Sequence, residues 1–270
     1  KSTIINHAKL EAGRRNDELI VQQGLPQKGL TQATKEKRLS FAQMHQDTNW
    51  DQVMFSDRKR FNFTFPGTAV KYTRWLLKSE QKAGETGIYQ PNHPSCLNIY
   101  VGISRHGATR VHLAAGSTSY KHNMTTKKDQ KARNITAGEY RHVDQDTLLE
   151  GGKLLFEGQD WILQQDNDPT HKVAGDVVSK WDITSQPTVK VLAAWPPNSP
   201  DLNLIENFWA YIERKVTETK CGNFKEFTKC VQSEIASTSK RRLEYLGKLY
   251  ANMPKRLAKV LEYSGEKTSY

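Results

Sequence analysis

The 270-residue chain is poor in apolar residues, in cysteine and in acid. Its hydrophobic share, 36%, lies below that of a typical globular domain. No run approaches the roughly 18 uninterrupted apolar residues of a membrane-spanning helix, so no membrane partner is expected. Residues 1–20 mix polar and charged side chains and lack the apolar stretch of a secretory signal. The three cysteines, Cys96, Cys221 and Cys230, show no paired zinc spacing. An odd set without a framework suits a reducing compartment, the cytosol or nucleus. Asn62, Asn123 and Asn134 head Asn-x-Thr sequons, expected to stay unmodified without a secretory signal. The start at Lys1 rather than Met suggests a piece of a longer protein.

What the chain has in excess is positive charge. Forty Lys and Arg against 29 Asp and Glu give a net charge of +11. Such a balance favours a polyanionic partner, nucleic acid first, with plain solubility as the competing explanation. Aromatic residues and periodic apolar stretches argue against disorder. Eight Lys and Arg fall between 105 and 141 (Arg105, Arg110, Lys121, Lys127, Lys128, Lys131, Arg133 and Arg141) against Asp129 and Glu139. Their clustering on a hairpin and the loop beside it suits phosphate contact, although a solvated face would look the same.

Apolar periodicity lays out the elements. Residues 1–13 read as the end of a helix closed by Gly13, and Gly24, Pro26 and Gly29 mark a linker. A basic helix is expected over 31–47. Val53–Asp57, then the alternation of Phe61, Phe63 and Phe65, suggest strand. Leu97–Ser104 and Thr109–Ala115 form two more strands around the turn Arg105-His106-Gly107. A helix over Ala137–Glu150 ends at Gly151-Gly152. Strands follow at Trp161–Asp166 and Val189–Ala194, with a helix from about Pro169 to Lys180 between them. Three helical stripes close the chain: Leu202, Ile205, Trp209, Ile212, Val216; then Phe224, Phe227, Val231, Ile235; then Leu243, Leu246, Tyr250, Met253, Leu257. The fold class is therefore α/β, a mixed sheet flanked by helices in a ribonuclease-H-like order.

Three acids stand at element boundaries. Asp57 closes the first strand, Asp166 closes the strand from Trp161, and Glu206 lies in the first turn of a helix. Carboxylates at neighbouring strand ends, joined by one from an adjacent helix, can converge on a shared cation. Magnesium takes few protein carboxylates and fills its shell with water and phosphate oxygens. Each acid also has a structural reading. Asp57 could be only a turn residue. Asp166 is not needed for helix initiation, since Asp168-Pro169 supplies it. Asn203 with Glu206 three residues on resembles a capping box, which leaves Glu206 open between cap and ligand. His171 could touch metal or phosphate, or be polar surface. Trp195 and Trp209 read as core or packing residues.

Four blocks of text, in order, resemble the Tc/mariner superfamily of DDE-type DNA transposases: Val53-Met-Phe-Ser-Asp57, Gly102-Ile-Ser-Arg-His-Gly107, Gln164-Gln-Asp-Asn-Asp-Pro-Thr-His171, and Trp195-Pro-Pro-Asn-Ser-Pro-Asp-Leu-Asn-Leu-Ile-Glu-Asn-Phe-Trp209. Asn252-Met-Pro-Lys-Arg256 is similar to the family's closing helix, and residues 2–13 to the end of its second helix-turn-helix. The resemblance implies a ribonuclease-H-like catalytic core, with Asp57, Asp166 and Glu206 as catalytic metal ligands for two Mg2+ ions, Mn2+ substituting. It implies cleavage at transposon ends and strand transfer into double-stranded DNA at TA targets, by a homodimer in the nucleus. Arg105, Arg110, Lys121, Lys127, Lys128, Lys131, Arg133 and His171 are the candidate DNA contacts. The expected domains are residues 1–50, the end of a DNA-reading region plus linker; 51–220, the catalytic domain; and 221–270, helices packed upon it. The sequence departs from the family in Arg58, where an acid is common, in Leu204 for Pro, in Tyr100-Val101 for Trp-Gly, and in the 39 residues between Asp166 and Glu206. The rival readings are an inactive or co-opted transposase-derived DNA-binding protein, and another nuclease of the same fold.

Overall fold

The computed structural model describes residues 29–63, 95–114, 137–167, 178, 181 and 187–270. The chain divides into two compact units, Lys1–Thr31 and Gln32–Tyr270. Residues 32–50, grouped by sequence with the linker, thus belong to the larger unit, as do the helices after residue 220.

In the larger unit a helix, α1 (Gln32–Met44), and a 3-10 turn, Trp50–Gln52, lead into β1 (Val53–Phe63). The strands β2 (Ser95–Ser104), β3 (Gly107–Ala108) and β4 (His112–Leu113) follow. A helical run, α2, comprises Ala137–His142, a π-helical segment Val143–Leu149, and Glu150–Leu155. Then come β5 (Trp161–Gln164), β6 (Val189–Val191), α3 (Leu204–Thr219), α4 (Phe224–Ala236), α5 (Lys240–Ala251) and α6 (Met253–Glu262). The sheet runs β3-β2-β1-β5-β6, with β4 also on β2. β1 pairs antiparallel with β2 and parallel with β5, and β5 pairs parallel with β6. This is the mixed sheet expected.

Side chains alternate across a strand, so a central sheet feeds two cores. Val53, Phe55, Ile99, Val101 and Ile103 enter one, with Phe41 of α1 and the buried stripes of α3 to α6. Met54, Tyr100, Trp161 and Leu163 enter the other, beneath α2. β2 is buried along its whole length, as a strand covered on both faces must be.

Three expectations need correcting. Asp57 does not close the first strand. It is the fifth residue of an 11-residue strand, because β1 continues along β2 as far as Phe63↔Ser95. The parallel pairing with β5 ends at Phe55↔Gln164, so Asp57 stands just beyond it. Second, Gly151-Gly152 lies inside α2 rather than ending it. A Cβ on Gly152 would lie 2.2 Å from the Trp161 ring, and one on Gly151 2.6 Å from Thr109 Cγ2. Close approach of helix to sheet, not chain reversal, accounts for the pair. Third, the last stripe is two helices. The chain bends at Asn252, and Pro254, which lacks an N–H, opens α6. Leu243 is exposed and its neighbour Arg242 is buried, its guanidinium over the rings of Phe208 and Tyr211.

Gly152→Ala tests the helix–sheet contact. Alanine gains up to about 1 kcal/mol in helix propensity. The overlap with a Trp161 ring already stacked on Phe156 (centroids 5.4 Å apart) outweighs that gain. Denaturant unfolding should show a net loss of about 1–3 kcal/mol.

Candidate active site

The three acids reach one place from three elements. Asp57 projects from β1 just past the parallel pairing, Asp166 lies two residues beyond β5, and Glu206 sits in the first turn of α3. All three line a single cavity of about 350 Å³, together with Asn167 and the loop Trp195–Pro200 and Asn203. The ends of β1 and β5 are held in step by the Ser56 hydroxyl, which donates to the Gln164 carbonyl at 2.8 Å.

Asp57 is the most enclosed of the three. Its Oδ1 accepts from the Arg58 backbone N–H at 2.6 Å and its Oδ2 from the Trp209 indole N–H at 3.2 Å. Burial raises its pKa to about 7, the two hydrogen bonds acting against the rise and the charges of Glu206 and Asp166 adding to it. Desolvation, not repulsion among the three acids, is the larger cause. Asp166 and Glu206 face solvent at the cavity walls.

The capping reading of Glu206 is tested by where the capping bonds go. Asn203 caps α3 by accepting from the Ile205 N–H at 3.3 Å. Its own N–H, which a capping box would give to Glu206, is donated to the Pro200 carbonyl at 3.1 Å. Glu206 is therefore not the reciprocal cap, and its carboxylate faces the cavity. Among the described residues, no three His, Cys, Asp or Glu side chains are gathered tightly enough to form a metal centre. The acids line one cavity without closing on a common point. The donor set nevertheless fits a hard divalent cation: the cavity offers carboxylate and amide oxygens, with no thiol or imidazole among the described residues lining it.

The loop Trp195–Asn203 forms the far wall and is tied down on both sides. Asn167 Nδ2 donates to the Trp195 carbonyl at 3.0 Å, joining the second-acid loop to it. Asp201 is clamped by Arg38 of α1, with Nη1–Oδ1 at 2.9 Å and Nη2–Oδ2 at 2.7 Å. Arg38 also reaches Ser199 Oγ at 2.7 Å, and Arg256 of α6 donates to the Asp201 carbonyl at 2.6 Å. Burial alone would push the Asp201 carboxyl up, but Arg38 and Thr268 hold it below its ordinary value.

The expected DNA contacts fare differently. Arg105 pairs with Asp51 beyond the start of β1, roughly 13 Å along the strand from the register position of Asp57 at about 3.3 Å per residue. Arg110 donates to the Asp146 carbonyl of the π-helical segment. Neither lines the acid cavity. Lys121, Lys127, Lys128, Lys131, Arg133 and His171 lie outside the described residues, as do 17 of the 39 between Asp166 and Glu206. Sequence reading missed the contact of Trp209 with Asp57 and the clamp on Asp201. Trp209 follows Glu206 by three residues, the helical spacing that puts two side chains on one side, and that was the available signal. Nothing local marks Arg38 as the partner of a residue 163 positions later.

No family model matches the chain. The Tc3 transposase of Caenorhabditis elegans is 31% identical to it over 218 residues, which take in 80% of this chain and 56% of that protein. The chain thus spans a little over half of that relative. Mos1 transposase in a paired-end complex with the left transposon end superposes with a TM-score of 0.69, over 97% of this chain and 71% of that one, at 15% identity. The Mos1 mariner paired-end complex with Mn gives 0.68, over 98% and 72%, also at 15% identity. Sheet order and acid placement together define a ribonuclease-H-like domain with three carboxylates at one cavity. Within that class, the chain is similar to the Tc/mariner transposases.

The Asp57 environment makes stability depend on pH. In the unfolded chain Asp57 ionises near 3.8, and in the fold only at about 7. Across that window the native state holds a proton the unfolded state has lost, so stability falls as pH rises from about 4 to about 7 and the loss is complete above. Asp57→Asn should flatten this slope and, with chelator present, be more stable than the parent at about pH 8. Urea unfolding of both proteins at about pH 5 and about pH 8 checks it, and equal slopes would show that Asp57 titrates normally.

Proposed function

We propose that the chain is the catalytic core of a cut-and-paste DNA transposase, which cleaves DNA at transposon ends and joins the freed 3′ ends to target DNA. The observation that carries this reading is the meeting of Asp57, Asp166 and Glu206 at one cavity of a ribonuclease-H-like sheet. The names of its relatives support it, as does the crystallisation of Mos1 on transposon ends with Mn. Asp57, Asp166 and Glu206 are the residues that would hold divalent metal, Mg2+ or Mn2+, as two ions. Bound there, the metal would activate the attacking oxygen and stabilise the leaving one in an in-line displacement at phosphorus.

The chain's own residues do the positioning. The parallel pair β1 and β5 brings Asp57, on β1, and Asp166, two residues past β5, to one edge, and α3 carries Glu206 at the same cavity. A cation held at Asp57 would displace its proton, so metal binding should gain with pH toward about 7. Asp166 and Glu206, at the open walls, are the acids a phosphodiester would meet first. The net charge of +11 suits double-stranded DNA as partner, and Arg58 and Arg60, exposed on the face of β1 opposite Asp57, add to the basic residues named from sequence. Insertion at TA, action as a homodimer and a nuclear location belong to the same proposal.

The experiment is nicking and strand transfer on DNA carrying the cognate ends, with Mg2+ or Mn2+. Asp57→Ala, Asp166→Ala and Glu206→Ala should each lower activity by at least about a thousandfold while circular dichroism stays native. Retained activity in any one removes that residue from the site. An inactive parent that still binds DNA would favour the co-opted binding protein instead.

DNA binding by this chain should be weak in sequence preference and steep in salt. Affinity should fall about tenfold for every two phosphates neutralised, between about 50 and about 200 mM salt. Fluorescence anisotropy against salt measures the slope; tight end-specific binding that resists salt would overturn the prediction.

A further inference from the structure

We propose that Trp209 is a positioning residue for the metal site: its indole N–H holds the Asp57 carboxylate in the orientation that receives a divalent cation, and so ties the first acid to the helix that carries the third. The inference rests on the reading of Asp57, Asp166 and Glu206 as metal-holding acids and goes beyond it to a residue none of that reading requires.

Trp209 lies one turn after Glu206 on α3 and is fully buried. Its ring meets Phe61 edge-on at 5.9 Å and Phe208 at 5.8 Å. Phe61 shares a face of β1 with Asp57, so the contacts that lock the indole come from the strand and helix that supply the two acids. With the ring so held, its N–H reaches Asp57 Oδ2 at 3.2 Å. The Arg58 N–H occupies one site on Oδ1. Each carboxylate oxygen has two lone pairs, so each keeps one for a cation, in directions set by those two donors.

The contact is not an automatic result of burying tryptophan. Trp50, Trp161 and Trp181 also bury their indole N–H groups, and none of these has a hydrogen-bond partner. An indole N–H can donate but never accept, so at Asp57 it favours the carboxylate form that a metal needs. It is also neutral, so it orients the carboxylate without neutralising it, as Arg or Lys would. Groups that hydrogen-bond a metal ligand in this way typically change metal affinity or activity by about 10–100-fold when removed.

The test is Mn2+ binding to the full chain, followed by electron paramagnetic resonance, in the parent, Trp209→Phe, Asp166→Ala and Phe61→Leu. Trp209→Phe keeps an aromatic ring and loses the N–H. It should raise the half-saturating Mn2+ concentration at least about tenfold, while nicking at saturating Mn2+ returns close to the parent rate. Phe61→Leu loosens packing on the same ring but spares the N–H; it should lower the melting temperature and weaken Mn2+ binding less than Trp209→Phe does. Should Trp209→Phe fail to fold, the parent decides: of its six indole N–H signals in 15N-labelled protein, that of Trp209 should shift on adding Mg2+ and stay still in Asp166→Ala. Binding that Asp166→Ala abolishes but Trp209→Phe leaves untouched overturns the role of Trp209 alone, as does an immobile Trp209 signal at saturating Mg2+. Absence of any Asp166-dependent binding in the parent overturns the metal-site reading itself, and this inference with it.

Discussion

Three carboxylates directed into one cavity resist being brought together, and much of the structure around them counters that resistance. Asp57 shows it most directly: enclosed between β1 and α3, it keeps its proton to about pH 7. A site of this kind is destabilising for the protein alone. It becomes favourable only when positive charge enters, and then the same enclosure makes the attraction stronger than it would be in open water. The fold must therefore hold the acids in place without help from the acids themselves. It does so with contacts that are apolar, neutral or paired elsewhere: the β1–β5 register, the Phe61–Trp209 contact, and the clamp on Asp201.

The register is the first of these. Parallel pairing of Val53↔Ile162 through Phe55↔Gln164 delivers Asp57 and Asp166 to the same edge, each two residues past the last paired position. Slipping either strand by one residue would turn its acid to the opposite face. That slip is opposed from both sides, because Val53 and Phe55 belong to one core and Met54 to the other. A strand buried on both faces has no neutral register to fall into.

This explains what could be read from sequence. The α/β class, the strands, the amphipathic helices and the meeting of the three acids at one cavity were legible, because alternation and helical stripes report burial and the acid-bearing blocks are distinctive. The errors came where a local signal has two physical meanings. Gly151-Gly152 reads as a helix stop, but glycine also permits close approach, and Trp161 and Thr109 demand that here. Asn203 and Glu206 have capping-box spacing, but Pro200 had already taken the Asn203 N–H. Asp57 read as a strand end because charge interrupts the apolar run, yet β1 continues through Arg58, Lys59 and Arg60 on the strength of its pairing with β2.

The clamp on Asp201 has the widest consequence. Arg38 is fully buried on α1, ahead of the first strand, and Arg256 lies on α6, beyond the last acid. Both converge on Asp201, and the chain after α6 joins them: Gly265 offers its carbonyl to Arg38, and Thr268 donates to Asp201 twice. Gly265 adopts a positive φ of 85°, and a Cβ there would lie 2.5 Å from the Lys35 carbonyl, so the tail crosses α1 at a point only glycine tolerates. A buried pair of this kind adds little net stability, but leaving one partner without the other costs several kcal/mol, about 3–5. Its value is therefore in specifying one arrangement: Asp201 has a single place in which its charge is met, and that place sets the loop carrying Pro200, Asn203 and the start of α3. The position of Glu206 thus depends on residues from near both ends of the larger unit. A segment confined to residues 51–220 would contain all three acids and lack both arginines that hold the third one's helix in place.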